Sequence, residues 1–124
     1  MTVNKKQLLT GLVTVVPVGM TVMSGLAKLT GSPEVVEGLT KAGVGPYIFG
    51  LGLMEIAFAV LFVIPRTMRL GLLLLTAYFA GAMATDLSHG NPVLMPTLLL
   101  ALVWMAAFVR DRHVFLPPVP PAAV

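Results

Sequence analysis

The sequence contains no cysteine and very little charge. The absence of cysteine excludes disulfides, thiol redox chemistry, and iron–sulfur or zinc sites with cysteine ligands. Only 10% of the 124 residues are charged and 57% are hydrophobic, whereas an ordinary soluble domain is about 25% charged. Because too few polar side chains are present to cover a soluble core, the composition predicts a single domain, residues 1–116, embedded in a lipid bilayer.

Four apolar runs are long enough to cross a bilayer as helices, which need about 20 mostly apolar residues each. They cover residues 8–28, 47–64, 70–89 and 93–109. We therefore expect an all-α fold, an integral membrane four-helix bundle. Residues 117–124 are rich in proline, and this composition predicts a disordered tail.

The connection between the first two runs, residues 30–45, predicts a short interfacial helix. Ser32 is a favourable N-cap, Pro33 suits the first helical position, and Gly43 can end the helix. One side of this segment is polar and the other apolar, with Glu34, Glu37 and Lys41 opposite Val35, Val36 and Leu39. Such amphipathic helices lie in the plane of the membrane surface.

The distribution of basic residues predicts the orientation. Six share one face of the membrane and two the other: Lys5, Lys6, Arg66, Arg69, Arg110 and Arg112, against Lys28 and Lys41. The positive-inside rule then places both termini in the cytoplasm, for a multi-pass protein of the cytoplasmic (inner) membrane. The net charge of +3 does not indicate nucleic-acid binding, because no basic cluster with interleaved aromatic residues is present.

Small and polar residues suggest how the helices pack. Small residues let membrane helices approach closely, and two sets have suitable spacing: Ala77, Gly81 and Thr85 in the third span, and Gly52 and Ala59 beside Glu55 in the second. The first span carries a regular stripe of Thr10, Thr14, Pro17, Thr21, Ser24 and Lys28. The hydroxyls of this stripe either bond the carbonyls of their own helix or line a cavity, and both can hold.

Four ionisable residues lie in or near the spans: Lys28, Glu55, Asp86 and His89. A charge inside a bilayer costs about 2.5–3.5 kcal/mol on insertion scales and marks a candidate functional site. Glu55 either ties helices together, by pairing with Lys28 or bonding Thr21 or Ser24, or handles protons or a ligand. Asp86 and His89 are neighbours on one helical face. We expect no metal site, because no second histidine lies near His89.

These residues form the candidate site. Glu55, Asp86 and His89 are the candidate catalytic groups. The candidate ligand-binding residues are Thr21, Ser24, Lys28, Tyr47, Glu55, Tyr78, Thr85, Asp86 and His89. Tyr47, Tyr78 and Trp104 are packing or interfacial residues, or alternatively the aromatic wall of a pocket for a planar ligand.

Five segments in order resemble the DoxX-like family of four-helix membrane proteins. They are GLAKLTG at 25–31, GLGLME at 50–55, PRTMRLG at 65–71, GAMATDLSHGNP at 81–92 and RDRH at 110–113. The family takes its name from a membrane subunit associated with thiosulfate:quinone oxidoreductase. The resemblance implies functional positions at Lys28 and Glu55. The sequence departs from the family pattern at Asp86, where related chains often carry histidine.

Four functions follow from these features. The resemblance implies an accessory or quinone- or lipid-binding component of a membrane redox system, whose electrons come from a partner enzyme because we expect no cofactor on the chain itself. The alternatives are a small proton-coupled transporter, a structural or assembly protein, and a membrane enzyme that uses Glu55 or Asp86 as a general acid on a lipophilic substrate. Homo-oligomerisation is compatible with each of them.

Overall fold

The computed structural model describes residues 5–116, and its regular elements are all helical. Five α-helices are present in this part of the chain: α1 Lys5–Thr30, α2 Pro33–Lys41, α3 Ile48–Val63, α4 Met68–Ser88 and α5 Leu94–Arg110. Each long helix begins and ends within three residues of a predicted span, so the all-α prediction is confirmed. The tail predicted to be disordered, 117–124, lies outside the described residues.

Three segments of the described chain are long and apolar enough to cross a membrane: Lys5–Thr30, Gly45–Val63 and Pro65–Ser88. Helix α5 is shorter, with 17 residues, which corresponds to about 25 Å at 1.5 Å per residue. That α5 crosses the membrane as a fourth span therefore stays a prediction. Its packing against α1 and α4 supports this prediction.

The four long helices form a ring. Helix α1 packs against α3 and α5, and α4 packs against the same two helices. The shared core is apolar, with Phe62 from α3, Leu75 and Phe79 from α4, and Val103 from α5 all fully or almost fully buried. Apolar side chains also cover the outside of the bundle, as expected for a surface that contacts lipid.

Close packing depends on three glycines. A Cβ at Gly25 would lie 3.1 Å from the carbonyl oxygen of Gly52, and a Cβ at Gly52 would lie 2.9 Å from that of Gly25. A Cβ at Gly71 would lie 2.3 Å from the backbone nitrogen of Phe62. The predicted packing face of α3 is therefore confirmed for Gly52, and Ala59 on the same face is also buried.

The predicted packing face of α4 is wrong. Ala77 and Gly81 are exposed, and a Cβ at Gly81 would meet nothing within 4 Å. The close approach to α3 occurs instead at Gly71, next to the turn that joins the two helices. Spacing alone cannot distinguish these positions, because the tilt between two helices decides where along their length they touch.

The two ends of the bundle differ in character. At the arginine end, Arg110 donates from Nη1 to the carbonyl oxygen of Phe62 at 2.6 Å and from Nη2 to that of Val63 at 2.9 Å. The guanidinium thereby satisfies the carbonyls at the end of α3. The opposite end carries α2 and the last turn of α1, and we call it the α2 end.

The bounds of α2 match the prediction, but the expected N-cap hydrogen bond is not formed. It begins at Pro33, and Gly43, just past its last turn, has a positive φ of 79° that ends it. The side chain of Ser32, however, makes no capping hydrogen bond. Glu37 and Lys41 form an exposed ion pair at 3.3 Å on the polar side of α2.

Candidate functional site

Four side chains from three helices meet at a single carboxylate oxygen. Oε2 of Glu55 accepts hydrogen bonds from Nζ of Lys28 at 2.6 Å, from the hydroxyl of Tyr78 at 3.2 Å and from the hydroxyl of Ser24 at 3.3 Å. Nζ of Lys28 also donates to Oγ of Ser24 at 2.8 Å. The predicted Lys28–Glu55 pair is therefore present. We call Ser24, Lys28, Glu55 and Tyr78 the polar cluster.

The backbone places this cluster inside the bundle. Glu55 lies near the middle of α3, and its side chain is only 1% exposed, while that of Lys28 is 9% exposed. The Gly25–Gly52 contact brings α1 and α3 close enough for Lys28 to reach across. Ser24 and Lys28 are four residues apart and so share one face of α1.

Tyr78 brings α4 into the cluster. Its ring makes an edge contact with Phe58 of α3 at 6.4 Å and another with Phe79 at 5.5 Å between centroids. Such edge-to-face contacts orient an aromatic ring. The hydroxyl is thereby directed at Glu55, so that α1, α3 and α4 are linked through one acidic side chain.

The polar stripe on α1 divides between its two predicted interpretations. Thr10, Thr14 and Thr21 donate to the carbonyl oxygens of Lys6, Thr10 and Pro17 at 2.7–2.8 Å. Ser24 and Lys28 instead belong to the polar cluster and line a cavity. Thr21 is buried but does not bond Glu55, so that expected contact is not formed.

A cavity of about 440 Å³ lies beside the polar cluster, towards the α2 end. Ligand pockets in proteins commonly measure about 300–1,000 Å³ and are mostly apolar with a few polar groups. Every helix from α1 to α5 contributes to the lining, as does the loop after α2. The polar cluster supplies polar groups at one wall, and most of the remaining lining is apolar: Leu39, Ala42, Val44, Leu51, Ala77, Phe79, Gly81, Ala82, Met95, Pro96 and Leu99.

Thr85 and Asp86 add polar groups to the cavity wall from α4. The hydroxyl of Thr85 donates to the carbonyl oxygen of Gly81 at 2.8 Å. Within residues 5–116, the carboxylate of Asp86 makes no hydrogen bond or ion pair. The cavity wall therefore carries the ammonium group of Lys28 as a donor and, on α4, a carboxylate able to accept a hydrogen bond.

Four residues expected at the site do not line the cavity: Thr21, Tyr47, Trp104 and His89. Tyr47 is 66% exposed and does not line the cavity. Trp104 lies away from it, where its indole donates to the hydroxyl of Thr76 at 3.0 Å and its ring contacts Phe115. The ring of His89 packs outside the cavity against Gly43, where an added Cβ would lie 2.7 Å from Nε2.

Sequence reasoning missed the apolar part of the lining. Leu39, Ala42 and Val44 from α2 and the loop after it cover the cavity at the α2 end, and α5 contributes Met95, Pro96 and Leu99. The amphipathic pattern of α2 indicated an apolar side, but the pattern fits a helix on lipid as well as one on a cavity. Among the described residues, no group of three or more His, Asp or Glu side chains is placed to hold a metal ion.

Comparison with known proteins identifies the family. The model of the DoxX-like family matches residues 12–107, a stretch that includes the polar cluster and every residue that lines the cavity. Comparisons with curated proteins and with solved structures found no match. Since the family match covers most of the sequence and most of each of the four long helices, the chain belongs to the DoxX-like family of membrane proteins.

Proposed function

We propose that this protein binds a lipid-soluble molecule with a polar head, best matched by a quinone, as an accessory component of a membrane redox system. The observation that carries the proposal is the cavity of about 440 Å³ beside a buried polar cluster. Family membership supports the membrane setting. A partner enzyme would exchange electrons with the bound quinone.

The hydrogen-bonding capacity of the cavity wall suits a quinone head. An ammonium group has three donors, and Lys28 uses two of them, on Glu55 and Ser24. The third is available to a quinone carbonyl in the cavity. On α4, the carboxylate of Asp86 can accept from the hydroxyl of the reduced quinol. The apolar lining then contacts the ring and its tail.

Co-purification tests this proposal. Wild type, Glu55→Gln and Glu37→Gln are purified in mild detergent, and bound small molecules are identified by mass spectrometry. Glutamine keeps the shape of Glu55 but not the charge that holds Lys28, so we expect about tenfold less bound quinone, since each tenfold corresponds to 1.4 kcal/mol. Glu37→Gln makes the same change at an exposed carboxylate and retains wild-type binding. Equal quinone in all three proteins, or none in the wild type, contradicts the proposal.

Proton-coupled transport is the second candidate, and the ion pair of Lys28 and Glu55 within the bundle favours it. Membrane-embedded ion pairs occur in proton relays. Proteoliposomes distinguish the two functions. A transporter would acidify or alkalinise the vesicle lumen in response to a substrate gradient and would lose this activity in Glu55→Gln, whereas a quinone-binding component would show no such flux.

A further inference from the structure

The lining of the cavity beside the polar cluster includes two exposed residues of α4, Ala77 and Gly81. At the arginine end the two helices are in contact, because a Cβ at Gly71 would lie 2.3 Å from the nitrogen of Phe62. Ten residues further along α4, a Cβ at Gly81 would meet nothing within 4 Å. The surface of α4 at Gly81 is therefore open, whereas its surface at Gly71 is in contact with α3.

Gly81 lies on the flank of α4, next to the side that contacts α3. At about 100° per residue, Gly81 lies between the direction of Gly71, which contacts α3, and that of Leu73, which is 69% exposed. Ala77 lies one turn before Gly81 and is exposed as well. Both residues line the cavity, as does Leu51 on the facing side of α3. We call the gap lined by Leu51, Ala77 and Gly81 the α3/α4 cleft.

The other end of the cavity is covered. Leu39, Ala42 and Val44 lie across it, and Ala42 is only 3% exposed. The ring of His89 packs against Gly43 in the same loop, so the end of α4 supports this cover. We expect the cover to face the headgroups and water and the cleft to face the acyl chains, because α2 lies at one end of the bundle and Gly81 lies within α4.

We propose that the ligand of the cavity enters sideways from the lipid through the α3/α4 cleft, and that Gly81 sets the width of this entrance. This inference rests on the proposed function. The polar head lies at Lys28 and Tyr78, and a single flexible apolar tail extends through the cleft into the surrounding lipid.

Binding in lipid nanodiscs tests the entrance with two probes. One is a fully substituted benzoquinone carrying a decyl chain, and the other has the same head with a methyl group in place of the chain. Wild type is compared with Gly81→Leu, which fills the cleft, and with Gly50→Leu. Gly50 is the matched control because it is also an exposed glycine of a membrane helix with nothing within 4 Å of an added Cβ.

We expect Gly81→Leu to weaken binding of the decyl probe about tenfold and to leave binding of the methyl probe unchanged. Gly50→Leu leaves both unchanged. If Gly81→Leu fails to fold, Ala77→Leu narrows the same cleft and carries the same prediction. Wild-type affinity of the cleft variants for the decyl probe would overturn the inference while leaving the proposed function intact. Absence of saturable binding of either probe to the wild type would contradict the proposed function, and this inference with it.

Discussion

The charge of Glu55 is tolerated inside the bundle because three donors converge on one of its oxygens. Removing one partner of a buried ion pair is destabilising because the remaining charge is uncompensated. Replacing both partners leaves no buried charge and is often neutral. The Lys28–Glu55 pair therefore has a structural consequence whatever ligand the cavity holds, and stability and ligand binding must be measured separately.

Lys28→Met tests this consequence. We expect the single substitution to destabilise the fold by about 3–5 kcal/mol, because Glu55 loses its cationic partner. The double variant Lys28→Met with Glu55→Leu should recover most of that loss. Unfolding in detergent can be followed by the fluorescence of Trp104, the single tryptophan, which lies away from the cluster. Additive effects of the two substitutions would show that the pair is not energetically coupled.

At the scale of helices, glycines decide which surfaces meet. The α1–α3 contact depends on Gly25 and Gly52, and the α3–α4 contact depends on Gly71. The open glycine, Gly81, borders the cavity instead. The same residue type thus serves for close packing in one part of α4 and for an opening in another.

Two alanine substitutions on α4 separate these roles. Gly71→Ala places a Cβ against the backbone of Phe62 and Leu61, which cannot rotate away, and we expect a loss of about 1–3 kcal/mol from overpacking. Gly81→Ala enters open space and should leave stability unchanged or slightly higher, since alanine favours helix. Thermal unfolding measures both effects, and we expect a lower melting temperature for Gly71→Ala than for Gly81→Ala. Equal melting temperatures would show that close packing does not require glycine at position 71.

The helices themselves were predictable from sequence, and so was the ion pair of Lys28 and Glu55 between them. Long apolar runs bounded by charge, proline and glycine define spans locally, and only Lys28 carries a cation near Glu55 at matching depth. The apolar cavity lining was not predictable, because it depends on helix tilt. Nothing in the local sequence of Gly71 and Gly81 separates a packed glycine from an open one, and nothing near Trp104 places it away from the site.

The molecule as a whole is an asymmetric bundle. Its arginine end is closed by packing of α3 on α4 and by the bonds of Arg110 to α3. Its α2 end contains the cavity, the polar cluster and the short covering helix. The positive-inside rule predicts that the cavity lies in the outer half of the membrane.

Single-cysteine labelling measures this orientation, and the chain is suited to it because it has no cysteine of its own. A membrane-impermeant maleimide should label Glu37→Cys in intact spheroplasts, but should label Arg66→Cys and Arg112→Cys only after permeabilisation. All three positions are exposed, so differences in labelling report the side of the membrane. Labelling of Arg66→Cys in intact spheroplasts would show that the orientation is the opposite of the one predicted.

The most direct test of the central claim is to fill the cavity without substituting any residue of the polar cluster. Ala82 lines the cavity, whereas Ala84 on the same helix is exposed and does not, so Ala82→Phe and Ala84→Phe form a matched pair. Binding of the decyl benzoquinone is measured for both variants and the wild type in nanodiscs. We predict saturable binding to the wild type and to Ala84→Phe, and binding at least about tenfold weaker to Ala82→Phe with unchanged folding. Equal binding by the two variants, or no saturable binding by the wild type, would contradict a ligand site in this cavity.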